Sequence, residues 1–408
     1  MNQTARNALL LMLGSSIVLA LSLGIRHAFG LFLQPMTHEF GWGREIFAFA
    51  IAVQNLIWGV VQPFVGAFAD RYGVKRTVFL SAIAYALGLL LMAHANTPTA
   101  LFLSTGLLIG LGLSGTSFAV LLSAVGRSVA PEKRSMAMGI ASAAGSFGQF
   151  VMLPGTLSLL ELFGWSTALL VCAALIVLLL PLSCMLNENL SNLVEDSAKL
   201  PLSSVLKQVA AHHDFWLLSL GFFVCGFQVV FIGIHIPAYL LDRQLPAQAG
   251  TMVLALVGLF NIAGTWIAGW LGGRYAKPHL LAALYFLRAI VITLFFYLPL
   301  STFSAYAFAV AMGLLWLSTV PLTNGTIATL FGVKHLSMLA GIVFLFHQLG
   351  SFLGGWLGGL VYDQTGSYSL VWQLSIVLSV IAALLNLPIR ERSVTFVQHP
   401  TSRAGTDL

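Results

Sequence analysis

Gly66-Ala67-Phe68-Ala69-Asp70-Arg71-Tyr72-Gly73-Val74-Lys75-Arg76-Thr77 decides how the rest of the chain is read. It is a short charged turn between two long apolar runs, about Glu45 to Ala69 before it and about Thr77 to His94 after it. Each run is long enough to cross a bilayer, which takes about 20 apolar residues. A turn this short between two crossings lies on one face of the membrane. Arg71, Lys75 and Arg76 against the single acid Asp70 assign that face to the cytoplasm, since short loops rich in Lys and Arg stay inside. Gly66 and Gly73 let the two helix ends approach and reverse tightly.

Composition extends this reading to the whole chain. Of 408 residues, 58% are apolar and 8% charged, against about 25% charged in a soluble domain. The 39 glycines suit packed membrane helices, where small residues let backbones approach. The net charge of +6 sits in short loops, which is a membrane pattern and not a nucleic-acid footprint. Cys172, Cys184 and Cys225 fall in apolar runs, and their odd count argues against a disulfide framework. Arg6 precedes a long apolar run with no small-residue cleavage site after it, so this run is expected to be the first span and not a cleaved signal.

The apolar runs predict an all-α membrane protein with twelve spans, at roughly 8–35, 45–69, 77–95, 99–125, 135–160, 166–186, 215–241, 250–273, 279–300, 303–330, 337–361 and 368–388. With both termini cytoplasmic, 15 of the 19 cations fall inside, only Arg44 and Arg243 fall outside, and Arg26 and Arg288 lie within spans. The polar connection 187–214 divides the chain into bundles 1–186 and 215–388, with a tail 389–408. Its Pro201–Ala211 portion is expected to form a short helix on the inner face.

The two halves repeat at an offset of about 203 residues. Gly66 and Arg71-Tyr72 reappear as Gly269 and Arg274-Tyr275, and Ser135-Met136 with Gly139-Ile140 as Ser337-Met338 with Gly341-Ile342. Gly148, Gly164 and Pro35 match Gly350, Gly366 and Pro237, while Gly273 stands where the first half has Asp70. A parallel duplication of six helices gives two pseudo-symmetric bundles, an arrangement known in transporters whose halves rock about a site near the midplane. Ser135 and Ser337 are expected to cap the inner starts of spans 5 and 11. Gly350, Gly354 and Gly358 on span 11, with Gly106 and Gly110 on span 4, are either sliding surfaces or plain packing.

The pattern G-x-x-x-D-R-x-G-x-K-R, here Gly66, Asp70, Arg71, Gly73, Lys75 and Arg76, resembles the signature loop between helices 2 and 3 of the major facilitator superfamily. That resemblance implies the major facilitator fold and a cavity lined by helices 1, 4, 7 and 10. It also implies a conformational latch, in which the hairpin acid docks on the positive end of span 11 when the transporter opens outward. The alternative is that Asp70 pairs only with Arg71 or Lys75.

Ionisable groups at membrane depth are costly unless paired or wet, so each is a candidate site. They are Arg26 and His27 on span 1, His235 on span 7, Arg288 on span 9 and His347 on span 11. Asn55, Gln228 and Asn324 add neutral polar groups, with Gln54, Gln348, Asn261, Thr319 and Thr323. All 13 acids fall in loops, tails or helix ends. An arginine does not deprotonate, so Arg26 and Arg288 need water, backbone carbonyls or the substrate as counter-charge. That favours an anionic substrate, whose carboxylate a guanidinium fork matches in two hydrogen bonds. Arg26 lies on an expected cavity helix and has Gln228 as its repeat mate. Arg288 lies on a peripheral span and is either a substrate ligand or a structural arginine bonding carbonyls. His347 is the candidate for proton coupling, because histidine is the side chain type whose ordinary charge change falls near neutrality.

Gly30-Leu31-Phe32-Leu33-Gln34-Pro35-Met36 leading to Phe40-Gly41-Trp42, the Asp70 turn, and Gly359-Leu360-Val361-Tyr362-Asp363-Gln364-Thr365-Gly366-Ser367-Tyr368 resemble the branch holding monocarboxylate porters and oxalate/formate antiporters. Those porters commonly carry an Asp and an Arg four apart on helix 8. The nearest counterparts here, Asn261 and Thr265, are uncharged, so that pair's role does not carry over.

The expected function is secondary transport of a small organic anion, a monocarboxylate in particular, by proton symport or exchange across the cytoplasmic (inner) membrane. The partners expected are that anion, membrane lipid and protons, with no nucleic acid and a monomeric state. An efflux pump for larger amphipathic compounds is the alternative, and a membrane sensor without transport a third reading. No phosphate-binding loop, metal site or cofactor site is seen in the sequence, and no enzyme activity is expected.

Overall fold

In the computed structural model, residues 3–42, 44–188 and 202–394 are described, and they contain helices and no strand. Among the described residues, eleven helical runs are long and apolar enough to cross a membrane. One of them, Pro131–Met185, has 55 residues, far more than one crossing needs. At Gly164 its backbone turns to φ 79°, ψ 169°, a conformation open mainly to glycine, so this run makes two crossings and the total is twelve. We label them α1 (Gln3–Ala28), α2 (Arg44–Tyr72), α3 (Val74–Met92), α4 (Pro98–Ser128), α5 and α6 (Pro131–Met185, divided at Gly164), α7 (His213–Asp242), α8 (Ala247–Gly272), α9 (Lys277–Tyr297), α10 (Thr302–Phe331), α11 (Leu336–Thr365) and α12 (Ser369–Asn386). Large apolar side chains stand exposed on many of the helices, including Leu91 on α3, Phe286 on α9 and Leu384 on α12. They suit contact with lipid.

Three spans differ from the expectation. The first ends its regular helix at Ala28; Phe29–Phe32 forms a tighter 3-10 turn, and a separate short helix, Leu33–Phe40, follows. Gly41 closes that helix at φ 65°, and Glu39 accepts a hydrogen bond from the Trp165 indole at 2.5 Å, which ties this segment to the start of α6. Spans 4 and 10 are not continuous. α4 has a π-helical stretch, Phe102–Ile109, and breaks at Thr116–Ser117. α10 breaks between Leu315 and Thr319.

Each break frees backbone groups that cannot go unpaired at membrane depth, and buried side chains meet them. At the α4 break, Gln62 donates to the Ser114 carbonyl at 2.8 Å, while its own oxygen accepts from Ser117 and from the Trp58 indole. At the α10 break, Arg288 donates to the carbonyls of Leu315 and Trp316, and the Leu317 amide donates to Asn261 Oδ1 at 2.9 Å. Asn261 in turn donates to Ser146 on α5 at 2.8 Å.

The two six-helix bundles meet closely along α2 with α11 and along α5 with α8. A Cβ on Gly66 would lie 2.5 Å from the Ser337 carbonyl oxygen, and one on Gly341 would lie 2.9–3.0 Å from the Gln62 and Pro63 backbone. Gly139 and Gly269 oppose each other in the same way. By contrast, Gly350, Gly354 and Gly358 abut α7 inside one bundle, and Gly106 and Gly110 abut α2 inside the other. Those stripes pack helices within a bundle; the glycines at the seam between bundles are a different set.

Ser135 and Ser337 are not caps. α5 begins at Pro131 and α11 at Leu336, which makes Ser135 the fifth helical residue and Ser337 the second. The expected short helix in the connection is present at Leu202–Ala210, with Val205 and Val209 buried. The rest of the connection, 189–201, and the tail from 395 lie outside the described residues.

Candidate functional site: a cleft between the two bundles

The close α2–α11 and α5–α8 crossings seal the face that carries Asp70. Toward the opposite face the bundles part, leaving a cleft of about 1300 Å³ including its mouth. Its lining comes from both bundles and reaches from Gly30, Leu33 and Gly233 near the mouth to Phe344, His347 and Gln348 at depth.

Arg26 lies in the last turn of α1 and lines the cleft beside His27, both partly buried. Its Nη2 donates to Asn55 Oδ1 at 3.0 Å, and its guanidinium carbon lies 5.9 Å from the centre of the Phe29 ring. Asn55 is itself oriented by donating to the Ile51 carbonyl at 3.1 Å. Arg26 Nε is buried without a hydrogen-bond partner. Among the described residues, none of those lining the cleft is acidic. The guanidinium therefore rests on a neutral amide and an aromatic ring, with donor capacity left over.

Asn324 and His347 also line the cleft. Asn324 donates to the Val320 carbonyl, leaving its Oδ1 buried without a partner. The His347 ring stacks on Phe344 at 5.1 Å and lies 4.7 Å from Phe222, with Nδ1 3.2 Å from Gln348 Oε1. The pore side of this cluster also includes Gln149 on α5 and Trp316 at the α10 break, each with a buried polar atom lacking a partner. Gln149 was legible in principle as a lone amide in an apolar run; Trp316 was not, because its position depends on the break.

The other candidates sit elsewhere. Arg288 is fully buried; besides the two α10 carbonyls it donates to Gln228 Oε1 at 3.3 Å. Gln228 donates onward to Ser379 and to the Ser375 carbonyl on α12. His235 bonds the Gly355 carbonyl at 2.9 Å and packs against Tyr368. None of the three is among the residues lining the cleft.

Asp70 sits in a hydrogen-bonded cluster that joins the two bundles across the seam. Asp70 ends α2 and accepts from the Met338 amide, in the first turn of α11, at 3.0 Å and from Arg127 Nη1 at 2.7 Å. Arg127 also donates to Ser337 Oγ at 3.1 Å and to Glu188 at 3.0 Å, and Glu188 accepts from the Val74 amide. Asp70 thus serves the helix end where Ser337 was expected to cap. Arg71, Lys75 and Arg76 are exposed and take no part in this cluster; Gly73 makes the turn at φ 91°. His335, just before α11, is held below its ordinary pKa by burial first and by the adjacent Lys334 second. Arg127 and Glu188 were not anticipated as members of the Asp70 cluster, since each reads as an ordinary loop charge until the chain is folded.

A sequence model of the Major Facilitator Superfamily matches residues 12–326. The chain belongs to the Major Facilitator Superfamily. Its members are transporters, not enzymes, and the multi-pass fold described above agrees with that membership. Among curated relatives, the MFS-type transporter YcxA of Bacillus subtilis (strain 168) is 25% identical over 376 residues, covering 89% of this chain and 90% of that one. Human monocarboxylate transporter 11 is 26% identical over 364 residues, covering 87% of this chain and 77% of that one. Among solved structures, the human organic anion transporter MFSD10 superposes with a TM-score of 0.70 at 16% identity, over 95% of this chain and 100% of that one. At that identity the likeness concerns the fold alone. As a superfamily member, this chain has its cleft where the two bundles meet, sealed at one face and open toward the other.

Proposed function

We propose that the protein is a secondary transporter of an organic anion, a monocarboxylate in particular, working by alternating access with coupling to protons or to a counter-anion. The observation that carries this is Arg26: a guanidinium lining an acid-free cleft, bonded to one neutral amide, with its Nε unpartnered. A carboxylate there would accept paired hydrogen bonds from it. His27, Asn55 and Asn324 complete the proposed contacts, and His347 is the proposed proton-coupling group. Gln228, His235 and Arg288 are proposed as support for α10–α12 and not as ligands. The name of the monocarboxylate transporter among the relatives supports the same substrate class.

The distribution of cations supports a cytoplasmic Asp70 face with both termini inside; the inner membrane and a monomeric working unit belong to the same proposal. On that orientation the cleft faces outward, bundles 1–186 and 215–388 rock about the seam, 187–214 connects them, and 389–408 is a cytoplasmic tail. The test is uptake of labelled carboxylates into proteoliposomes containing the wild-type protein or Arg26→Gln. Saturable uptake that Arg26→Gln abolishes supports the reading; equal transport of neutral or cationic amphipaths by both proteins supports the efflux reading instead.

A further inference from the structure

We propose that the anion is an aromatic one, a monocarboxylate whose ring enters a pocket at the base of the cleft while its carboxylate stays on Arg26. This rests on the anion reading above and narrows it. The pocket is built from Trp58 on α2, Phe222 on α7, and Phe344 and His347 on α11, all of which line the cleft. Trp58 and Phe344 lie 4.8 Å apart between ring centres, Phe344 and His347 5.1 Å, and Phe222 and His347 4.7 Å. Such a wall offers ring faces and edges to a flat apolar guest, a geometry that aromatic pairs prefer. The Trp58 indole N–H is already committed to Gln62, so this residue presents its ring and not its donor.

The placement of charge and rings along α2 sets the shape of the guest. Asn55, the partner of Arg26, and Trp58 are three residues apart, hence on one side of the helix and offset by roughly 4.5 Å along it. Trp58 is nearer the Asp70 end, so the ring pocket lies about one turn deeper than the anion-binding group. A carboxylate on Arg26 with a short spacer to a ring spans that offset. A two- or three-carbon acid on Arg26 leaves the rings unfilled and loses their apolar burial. The pocket also draws walls from both bundles, Trp58 from one and Phe222, Phe344 and His347 from the other. A ring held there touches both moving parts, as a substrate that drives their closure must.

The test uses the purified full-length protein in lipid nanodiscs, with equilibrium binding of phenylacetate, acetate, lactate and the neutral 2-phenylethanol. Phenylacetate is expected to bind at least tenfold more tightly than acetate or lactate, and 2-phenylethanol to compete weakly. Phe344→Leu is expected to weaken phenylacetate severalfold more than it weakens acetate, and an equal loss for both would refute the ring pocket. Phe222→Leu makes the same test if Phe344→Leu is not monodisperse. If acetate or lactate binds as well as phenylacetate and Arg26→Gln still abolishes both, the ring pocket is refuted and the anion reading survives. If 2-phenylethanol binds as well as phenylacetate, the anion reading itself is refuted and the proposal goes with it. No phenylacetate binding at any soluble concentration also overturns it.

Discussion

The Asp70 carboxylate accepts the Met338 backbone amide at 3.0 Å, joining residues 268 apart in the chain. One is the end of α2 in the first bundle and the other the first turn of α11 in the second. A carboxylate at a helix N-terminus meets both an unpaired amide and the positive end of the helix dipole. Arg127, bonded to Asp70, Ser337 and Glu188, fixes that carboxylate in place and balances its charge. The repeat-related contact has no acid: Gly273 occupies the equivalent position, and α8 approaches α5 through Gly269 and Gly139 instead. Both sides of the seam pack through glycines; a charged cluster joins the α2–α11 side, whereas neutral hydrogen bonds such as Asn261 to Ser146 join α8 to α5.

Asp70→Asn removes the charge while keeping an oxygen for the Met338 amide. The state sealed at the Asp70 face should lose about 1–2 kcal/mol relative to the opposite state, a shift of roughly 5–30-fold in the equilibrium. The measurement is the rate of maleimide reaction at Gly233→Cys, on the mouth of the cleft, in a protein lacking the native cysteines. Gly66→Ala should move the same rate in the same direction, because its Cβ would meet the Ser337 carbonyl oxygen at 2.5 Å and helix backbone cannot yield. Unaltered labelling in both variants would count against the latch.

Arg26→Lys keeps the positive charge and loses the planar fork, so anion affinity should fall about tenfold or more with some transport remaining. Arg26→Gln removes the charge, and binding should nearly vanish while the protein stays monodisperse. Normal anion binding by Arg26→Gln would remove this residue from the site.

Arg288→Gln should act on folding. It leaves the Leu315 and Trp316 carbonyls without their buried donor, and each unsatisfied group costs about 1–3 kcal/mol. A lower thermal midpoint in detergent is expected, with anion affinity of the folded fraction unchanged. Loss of binding without loss of stability would assign Arg288 to the substrate.

His347→Gln should abolish accumulation driven by a pH gradient and leave substrate counterflow, if this histidine carries the coupling proton. Accumulation that survives the substitution would place the proton on the substrate or on another group.

Orientation can be checked with single cysteines in the same cysteine-free background. Arg76→Cys, on the Asp70 face, should resist an impermeant reagent applied to whole cells, and Asp242→Cys, at the far end of α7, should react. The opposite pattern would invert the protein in the membrane.

The sequence alone determined the membrane class, the twelve crossings and the duplication, and it singled out Asp70 as the acid of the charged turn. These properties are local: the length of an apolar run is set by bilayer thickness, and a helix end followed by a charged turn is written in consecutive residues. The breaks were half-written. Pro321 lacks an amide proton and crowds the carbonyl four residues earlier, at Leu317, and Ser114, Thr116 and Ser117 compete for nearby backbone groups in α4. The sequence ranks Arg26, on an expected cavity helix, above Arg288, on a peripheral span, but only the tertiary structure showed what each arginine binds. In the sequence both are lone cations in apolar runs. In the fold Arg288 faces a broken helix whose freed carbonyls consume its donors, whereas Arg26 faces a cleft with a neutral amide and an unspent N–H. Arg127 and Glu188 joined the Asp70 cluster for the same reason. A charge takes its role from the groups packed around it, and those groups come from helices far apart in the chain.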